Sequence, residues 1–540
     1  MQTESIRPVP NRSIPALLAL QAGAVLVVLA ALPYPHFQLD RYTFVKELVM
    51  LATALAAALL GLGSARRITV FMVDTLIAGF LALSLISALL ATNGWLAMRG
   101  FGLSLAGAGL FWTARTLARA GHGPRLLGAL AAGVVLGALT GLIQAYGLVT
   151  TELASTVRAP GGTFGNRNFM AHLVAIGLPT LLLVTLQARH RRGFALGAAG
   201  VAIASMALVL SRSRAAWVGV AAWAVFLAVE GLWAGRLWDD RPLRRRVVVL
   251  GGLALAGLLV ALVLPNRLNW RSDSPYLDSL AGVANYKEGS GRGRLIQYGN
   301  TLDMALDHPV LGVGPGNWPV HYPKYMSPGD PSFDADDDIP TNPWPSSDWM
   351  AMLSERGLPA ALLLFAVGGS IALGAWARVR SDRRRMPALG DLTTVATLIA
   401  LFVVGAFDAV LLLPAPAFFA WTAVGALATS ARPIREVILT PTGRRRLAVA
   451  VVLVGGGLLL HSASQIAAMA LAGGRSREAL ALELAAKVDP GSYRIHMLLA
   501  TGWRAEGRCD RARPHAERAR DLFPNHPAPR VVLRACGRSR

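Results

Sequence analysis

The sequence has few charged residues and almost no cysteine. Only 16% of its 540 residues are charged, whereas 54% are hydrophobic, and the mean hydropathy is +0.47. A soluble domain rarely has this balance. The two cysteines, without any Cys-x-x-Cys motif, exclude a zinc ribbon and a thioredoxin-type site. The basic N-terminus precedes an apolar run that lacks a small-residue cleavage site, which predicts a first membrane span rather than a removed signal peptide.

Acidic residues are also scarce, because 31 Asp and Glu stand against 53 Lys and Arg, giving a formal net charge of +22. A charge of this size is typical of nucleic-acid-binding proteins. Here, however, the arginines form short clusters between apolar runs. The sequence therefore predicts membrane lipids as the surroundings and no nucleic-acid partner.

Apolar runs of about 20 residues, the length that crosses a hydrocarbon core, recur along most of the chain. We count thirteen candidate spans, near 14–33, 44–63, 69–91, 98–118, 126–146, 168–187, 194–211, 214–233, 247–264, 358–376, 391–411, 415–430 and 447–471. The sequence therefore predicts an all-α, polytopic membrane protein of about 12–13 transmembrane helices.

Arginine clusters occupy alternate loops between these spans, as the positive-inside rule requires of cytoplasmic loops. The clusters lie near 66–67, 115–125, 189–192, 241–246, 378–385 and 432–446. This pattern predicts a cytoplasmic N-terminus. It also predicts a membrane domain at 1–472, with a large loop at about 265–357 on the outer side, and a tail at 473–540 on the same side.

The tail has the spacing of a tetratricopeptide repeat. Gly473 and Gly507 are separated by one 34-residue period, and so are Pro490 and Pro524. Packing or small residues at the expected positions support the repeat: Leu499, Ala500, Trp503, Ala512 and Ala519. An ordinary helical hairpin is the alternative.

Both cysteines, Cys509 and Cys536, lie in this tail. The repeat places them at neighbouring ends of antiparallel helices, and an oxidising compartment favours a disulfide between them. Two small buried hydrophobic residues are the alternative.

Arginines in the predicted outer segments are candidates for binding a diphosphate. A guanidinium pairs bidentately with phosphate oxygens and stays charged. The alternative for each is an arginine that extends toward lipid headgroups. The candidates are Arg158 and Arg167 before the sixth span, Arg212 and Arg214 at a tight turn, and Arg292 and Arg294 in the large loop.

Two glycine-rich turns, 161–169 (GGTFGNRNF) and 311–318 (LGVGPGNW), either bind an anion or simply reverse the chain. His308 and His321 are candidates for a general base, and Asp408 inside the eleventh span indicates a polar interior or a pair with a neighbouring helix. An acidic run is read as a solvated loop rather than a metal site: Asp334, Asp336, Asp337 and Asp338.

The order of these segments resembles the O-antigen ligase and O-antigen polymerase superfamily of membrane glycosyltransferases. The matching strings are GTFGNRNF at 162–169, Ser213-Arg214, the RLIQY segment from Arg294 to Tyr298, and DHPVLGVGPGN at 307–317. The last string is the most specific, and the resemblance covers roughly residues 40 to 430. One residue departs from the family pattern, because Ser346 stands where ligases typically have a histidine, followed here by Asp348 and Trp349.

The resemblance implies a bacterial inner membrane, with the large loop and the tail in the periplasm. It also implies transfer of a glycan from undecaprenyl diphosphate to a glycan or lipid A core acceptor, with inversion and without a metal or cofactor. Arg214 and Arg294, together with Arg158, Arg167 and Arg212, would bind the diphosphate. Asp348 or His321 would orient the acceptor, and the tail could recruit an envelope protein.

The missing histidine keeps a non-catalytic polysaccharide assembly factor open as an alternative. A transporter of lipid-linked glycans fits less well, because the sequence shows no repeated span pattern and no pair of short broken helices.

Overall fold

The computed structural model describes residues 13–34, 37–148, 159–233, 240–270, 272–332, 342–381, 385–428, 433–473 and 479–537. Arg158 and the acidic run at 334–338 lie outside the described residues. All thirteen predicted spans coincide with helices. These are α1 (Ile14–Leu29), α2 (Asp40–Ser64), α3 (Met72–Leu89), α4 (Gly94–Leu117), α5 (Gly123–Ala145), α6 (Arg167–Leu186), α7 (Arg191–Ser211), α8 (Arg214–Trp233), α9 (Arg241–Val263), α13 (Asp348–Ser381), α14 (Arg385–Phe407), α15 (Pro414–Leu427) and α16 (Pro441–Ala472).

Ten helical segments in the described part of the chain are long and apolar enough to cross a membrane. One of them comprises α4 and α5, which a π-helical turn at Ala118–His122 joins. Helices α1 and α15 are apolar but shorter. The protein is therefore a multi-pass membrane protein with a mostly helical fold, which confirms the predicted class. The count of twelve to thirteen crossings stays a prediction.

One structural feature was not predicted. Strand β1 (Arg67–Val70) pairs antiparallel with β2 (Arg435–Ile438), and Arg67 lies opposite Ile438. Both segments contain β-branched residues, which favour extended backbone. This ribbon joins two arginine-rich loops that are far apart in the sequence.

The large loop between α9 and α13 contains three short helices, α10 (Pro275–Ala281), α11 (Gly289–Asp307) and α12 (Trp318–His321). Helix α13 starts at Asp348, before the predicted end of the loop at 357. Gly357 has φ +78, so the helix breaks there and separates an outer arm from the long apolar part. The predicted span began at 358 because the residues become continuously apolar only there, and the outer arm of the helix was not predicted; the loop boundary at 357 stays a prediction.

The tail forms helices α17 (Ala479–Val488), α18 (Tyr493–Ala505), α19 (Cys509–Leu522) and α20 (Pro527–Gly537). Cys509 and Cys536 form a disulfide with their Cα atoms 5.3 Å apart, which confirms the predicted bridge. Small buried residues on α19, such as Ala512, Ala516 and Ala519, allow the helices to pack closely. The tetratricopeptide character of these helices stays a prediction.

The tail packs on the same face of the membrane domain as the large loop. Asn525 donates a hydrogen bond to the backbone oxygen of Val320 at 3.2 Å. Arg494 pairs with Asp40 at 3.5 Å, and Val320 belongs to the same buried apolar cluster as the tail residues. The tail and the large loop therefore lie on the same side of the membrane domain, independently of which side faces the cytoplasm.

Candidate functional site

A tight turn between α7 and α8 positions two of the predicted arginines. Arg212 adopts the left-handed conformation, with φ 52, which ends α7 and lets α8 begin at Arg214. The Arg212 Nε donates to Ser279 Oγ at 2.8 Å. The guanidinium groups of Arg212 and Arg167 lie 4.6 and 5.0 Å from the centre of the Trp270 ring. Trp270 therefore brings together arginines from two distant segments.

Arg214 and Arg294 line one small cavity of about 110 Å³, together with Gly282, Tyr286 and Phe407. The guanidinium of Arg214 is fixed, because it donates to the backbone oxygen of Gly282 and to the hydroxyl of Ser290.

The guanidinium of Arg294 has no hydrogen-bond acceptor among the residues that the structure describes. Arg294 lies within electrostatic range of Arg214, and the repulsion between two such cations decreases when an anion lies between them. The cavity therefore combines a fixed cation with an unpaired one.

Tyr298 links three parts of the site one helical turn beyond Arg294. Its hydroxyl lies 2.6 Å from the backbone oxygen of Ser346 and 2.9 Å from that of Ala406, and both oxygens can only accept. Burial raises the pKa of the Tyr298 phenol, so the group keeps its proton. Tyr298 thus holds Ser346 next to the end of α14.

Asp408 follows α14 and faces the turn before α6. Its Oδ2 accepts a hydrogen bond from the Asn168 side chain at 3.2 Å and lies 3.8 Å from the Nε2 of His172. Asn168 of the GTFGNRNF segment and His172, three residues beyond its end, therefore face this carboxylate. The predicted polar interior near Asp408 is present, and it includes His172, which the sequence analysis did not select. An ionisable residue inside a span was the signal that could have identified His172.

Asp348 is fully buried, and its carboxylate accepts hydrogen bonds from backbone N–H groups. Both of its oxygens accept from Val410 N at 3.0 Å, and Oδ2 also accepts from Leu411 N at 2.9 Å. This bonding ties α13 to the segment after α14 and favours a structural role. The predicted role of Asp348 in orienting an acceptor stays a prediction without a supporting contact.

His321 lies against the loop between α3 and α4, where its Nε2 is 3.0 Å from the hydroxyl of Thr92. Burial, and secondarily the neighbouring His308, lower the pKa of His321 to about 4, so it is neutral at physiological pH. No contact in the described part of the chain joins His321 to the arginines. Its predicted role as a base also stays a prediction.

The LGVGPGNW turn packs on the break in α13. Val313 N donates to Ser354 O at 2.9 Å, and Gly314 N donates to Glu355 O at 2.8 Å. Gly312 has φ +65, and a Cβ there would lie 2.3 Å from the carbonyl carbon of Glu355. Only glycine allows this approach, so these contacts favour the turn interpretation over an anion site.

An apolar groove of about 1780 Å³ runs between α6, α7, α8, α9 and α14. Helix α10 borders one end through Tyr276 and Leu280. The same helix carries Ser279, which accepts from Arg212, and is followed by Gly282, which accepts from Arg214. The groove therefore ends next to the arginines.

Residues 199–365 match the family model described as O-Antigen ligase. The chain contains an O-antigen ligase family domain. The matched region includes Arg212, Arg214, Arg294 and the whole large loop, which confirms that part of the resemblance. Members of this family are glycosyltransferases, and the match implies lipid-linked glycan transfer in surface polysaccharide biosynthesis. The match does not extend to the tail, and a comparison with curated proteins found no match.

Proposed function

We propose that this protein transfers a glycan from undecaprenyl diphosphate to a hydroxyl group of a glycan or lipid A core acceptor at the periplasmic face of the inner membrane. The observation that carries the proposal is the cavity shared by Arg214 and Arg294. A diphosphate carries the charge that two adjacent guanidinium groups need, and each group can pair with two of its oxygens. Arg167 and Arg212, which share Trp270, add positive charge beside it.

The apolar groove supports a lipid-linked donor. A polyprenyl chain is a long apolar ligand, and the groove offers apolar side chains from five long helices along the membrane-spanning part of the protein. Its position under helix α10 would place a diphosphate at the end of that chain beside Arg212 and Arg214. The groove and the arginines thus fit two parts of one molecule.

In the proposed reaction, an oxygen of the acceptor attacks the anomeric carbon of the donor sugar. The bond from that carbon to the diphosphate oxygen breaks, and undecaprenyl diphosphate leaves with the electron pair. The guanidinium groups stabilise the growing negative charge, and each preorganised donor can contribute about 3–4 kcal/mol. Attack opposite to the leaving group inverts the anomeric carbon.

The purified protein in nanodiscs, with a synthetic undecaprenyl-diphosphate oligosaccharide and an acceptor lipid extract, tests this proposal. We expect a glycosylated acceptor and an equal amount of undecaprenyl diphosphate. Movement of an unchanged donor across a proteoliposome membrane would support a transporter instead. Donor binding without product would support the alternative of a non-catalytic assembly factor. That alternative is based on Ser346, which stands where ligases typically have a histidine.

The proposed orientation places the large loop and the tail in the periplasm. Lys287→Cys in the loop and Glu506→Cys in the tail introduce thiols at exposed positions. Since the native cysteines form a disulfide, they should not react. Both new thiols should react with a membrane-impermeant maleimide in cells with a permeabilised outer membrane, whereas Arg245→Cys in a predicted cytoplasmic loop should not. Protection of either outer position until the inner membrane is lysed would reverse the proposed orientation.

A further inference from the structure

The carboxylate of Asp408 is held in place but keeps free acceptor capacity. Its Oδ1 accepts from the backbone N–H of Ala409 at 2.9 Å, and its Oδ2 accepts from the Asn168 side chain at 3.2 Å. A carboxylate has about four lone-pair sites, so two contacts leave room for another donor. The side chain is 12% exposed, which allows contact with a molecule in the site.

The hydrogen bonds of His172 fix where its proton lies. Its Nδ1 is 3.2 Å from the backbone oxygen of Ala409. Because a carbonyl oxygen only accepts, Nδ1 carries the hydrogen, and in the neutral ring Nε2 presents a lone pair. This Nε2 is buried, has no hydrogen-bond partner in the described part of the chain, and lies 3.8 Å from Asp408 Oδ2. The Nε2 lone pair of His172 therefore faces Oδ2 of Asp408 and can accept a proton from it.

This pair lies beside the arginine cavity. Phe407, the residue before Asp408, lines the cavity with Arg214 and Arg294. Arg294 is within electrostatic range of His172, and Asp408 is within range of Tyr298. Asp348 also lies within electrostatic range of Asp408. An acceptor hydroxyl that approaches a sugar on the diphosphate would thus pass close to the Asp408 carboxylate.

We infer that Asp408 takes the proton from the attacking acceptor hydroxyl and that His172 shares this proton through its Nε2. This inference rests on the proposed function. As the new bond from oxygen to the anomeric carbon forms, the O–H bond breaks and its proton moves to a carboxylate oxygen of Asp408. The electron pair of the sugar–diphosphate bond leaves with undecaprenyl diphosphate. Charge and atoms balance, and no further reactant is needed.

If Asp408 is the base, the protein needs no base at position 346, where a serine replaces the histidine that is typical of ligases. Tyr298 and the Gln297 side chain hold the Ser346 backbone against the end of α14, where the Gln297 Oε1 accepts from Ser346 N at 2.6 Å. Serine is a poor base at neutral pH, whereas a carboxylate backed by a neutral imidazole is an effective proton acceptor. The base then comes from the residue that follows α14, supported by His172 of α6, instead of from the large loop.

Asp408→Asn tests the inference, because it keeps the size and the accepting oxygen but cannot take a proton. Turnover should fall by about 10²-fold or more, while affinity for the undecaprenyl-diphosphate donor stays within about threefold. His172→Gln should cause a smaller loss of kcat and change the pH dependence of kcat/KM. Thr180→Val is the control, since Thr180 is another buried polar residue of α6.

Measurement of kcat/KM against pH separates a proton acceptor from a structural contact. Wild-type protein should lose activity on acidification, and the residual activity of Asp408→Asn should lack that acid limb. Unchanged turnover in Asp408→Asn, or the same acid limb in this variant and the wild type, would overturn the inference. If Asp408→Asn fails to fold, an unaltered pH profile in a folded His172→Gln would overturn it as well. A wild-type protein that binds donor without turnover would instead remove the proposed transfer, and this inference with it.

Discussion

Arg294→Lys is expected to lower the rate of glycan transfer by about 10²- to 10³-fold, the effect of removing one preorganised donor from a charged transition state. Lysine keeps the positive charge but loses the planar group that pairs with two phosphate oxygens. Arg294 has no acceptor among the described residues, so this substitution breaks no hydrogen bond within the described part of the chain. The rate of lipid diphosphate release at saturating donor measures the effect directly.

Arg214→Lys should show a loss of similar size, and it also removes the bonds to Gly282 and Ser290. The matched control is Arg292→Lys: this arginine was also a sequence-based candidate, but it is exposed on the same helix as Arg294 and does not line the cavity. It should keep nearly full activity. Equal activity in all three variants would exclude the binding of a diphosphate by this cavity.

The largest effect on stability is expected at Arg356. Its guanidinium is buried and pairs with Glu355 at 3.3 Å, while it also donates to Ser104 Oγ at 3.1 Å and Gly100 O at 3.3 Å on α4. Glu355 in turn accepts from the backbone N–H of Trp318. Arg356→Met leaves a buried carboxylate without its cation, which typically costs about 3–5 kcal/mol. The free energy of unfolding should fall by that amount, and the large loop should become sensitive to protease.

Two further variants show whether the unpaired charge is the cause. Adding Glu355→Gln to Arg356→Met removes the stranded charge and keeps an acceptor for Trp318, so it should recover much of the loss. Lys324→Met breaks an exposed pair with Asp307, and it should change the unfolding free energy by less than about 1 kcal/mol. If the double variant is no more stable than Arg356→Met, loss of packing rather than the unpaired carboxylate explains the effect.

Hydropathy and the spacing of arginines were sufficient to predict the membrane helices, since a bilayer imposes both length and apolar composition. They could not predict the ribbon of β1 and β2, because its two strands are more than 360 residues apart in sequence, as the contact between Arg67 and Glu436 shows. They also missed the outer arm of α13 from Asp348 to Arg356. That arm contains charged residues whose partners come from other segments, so its own composition does not reveal that it is buried.

The predicted arginines also show that local sequence can select a residue but cannot reveal its partners from distant segments. The order of the motifs was enough to select Arg214 and Arg294, which the structure places in one cavity. The shared Trp270 beneath Arg167 and Arg212 depends on three distant segments, and no local pattern indicates it.

Asp348 was selected for its position next to Ser346, but its carboxylate accepts from backbone N–H groups. Local sequence identified the carboxylate and not its partners. His172 was overlooked although an ionisable residue inside a span is a signal of a polar site, and its partner Asp408 could not be predicted because the two residues are far apart in the sequence.

Equilibrium binding of sugar-free undecaprenyl diphosphate to the protein in nanodiscs tests the central claim most directly, with undecaprenyl monophosphate as the matched ligand. Both lipids present the same polyprenyl chain to the apolar groove, and they differ only in the number of phosphate groups that the arginine cavity can bind. The diphosphate should bind at least about tenfold more tightly, a difference of about 1.4 kcal/mol, and Arg294→Lys should abolish that preference without weakening binding of the monophosphate. Equal affinity of the wild-type protein for the two lipids would contradict the account.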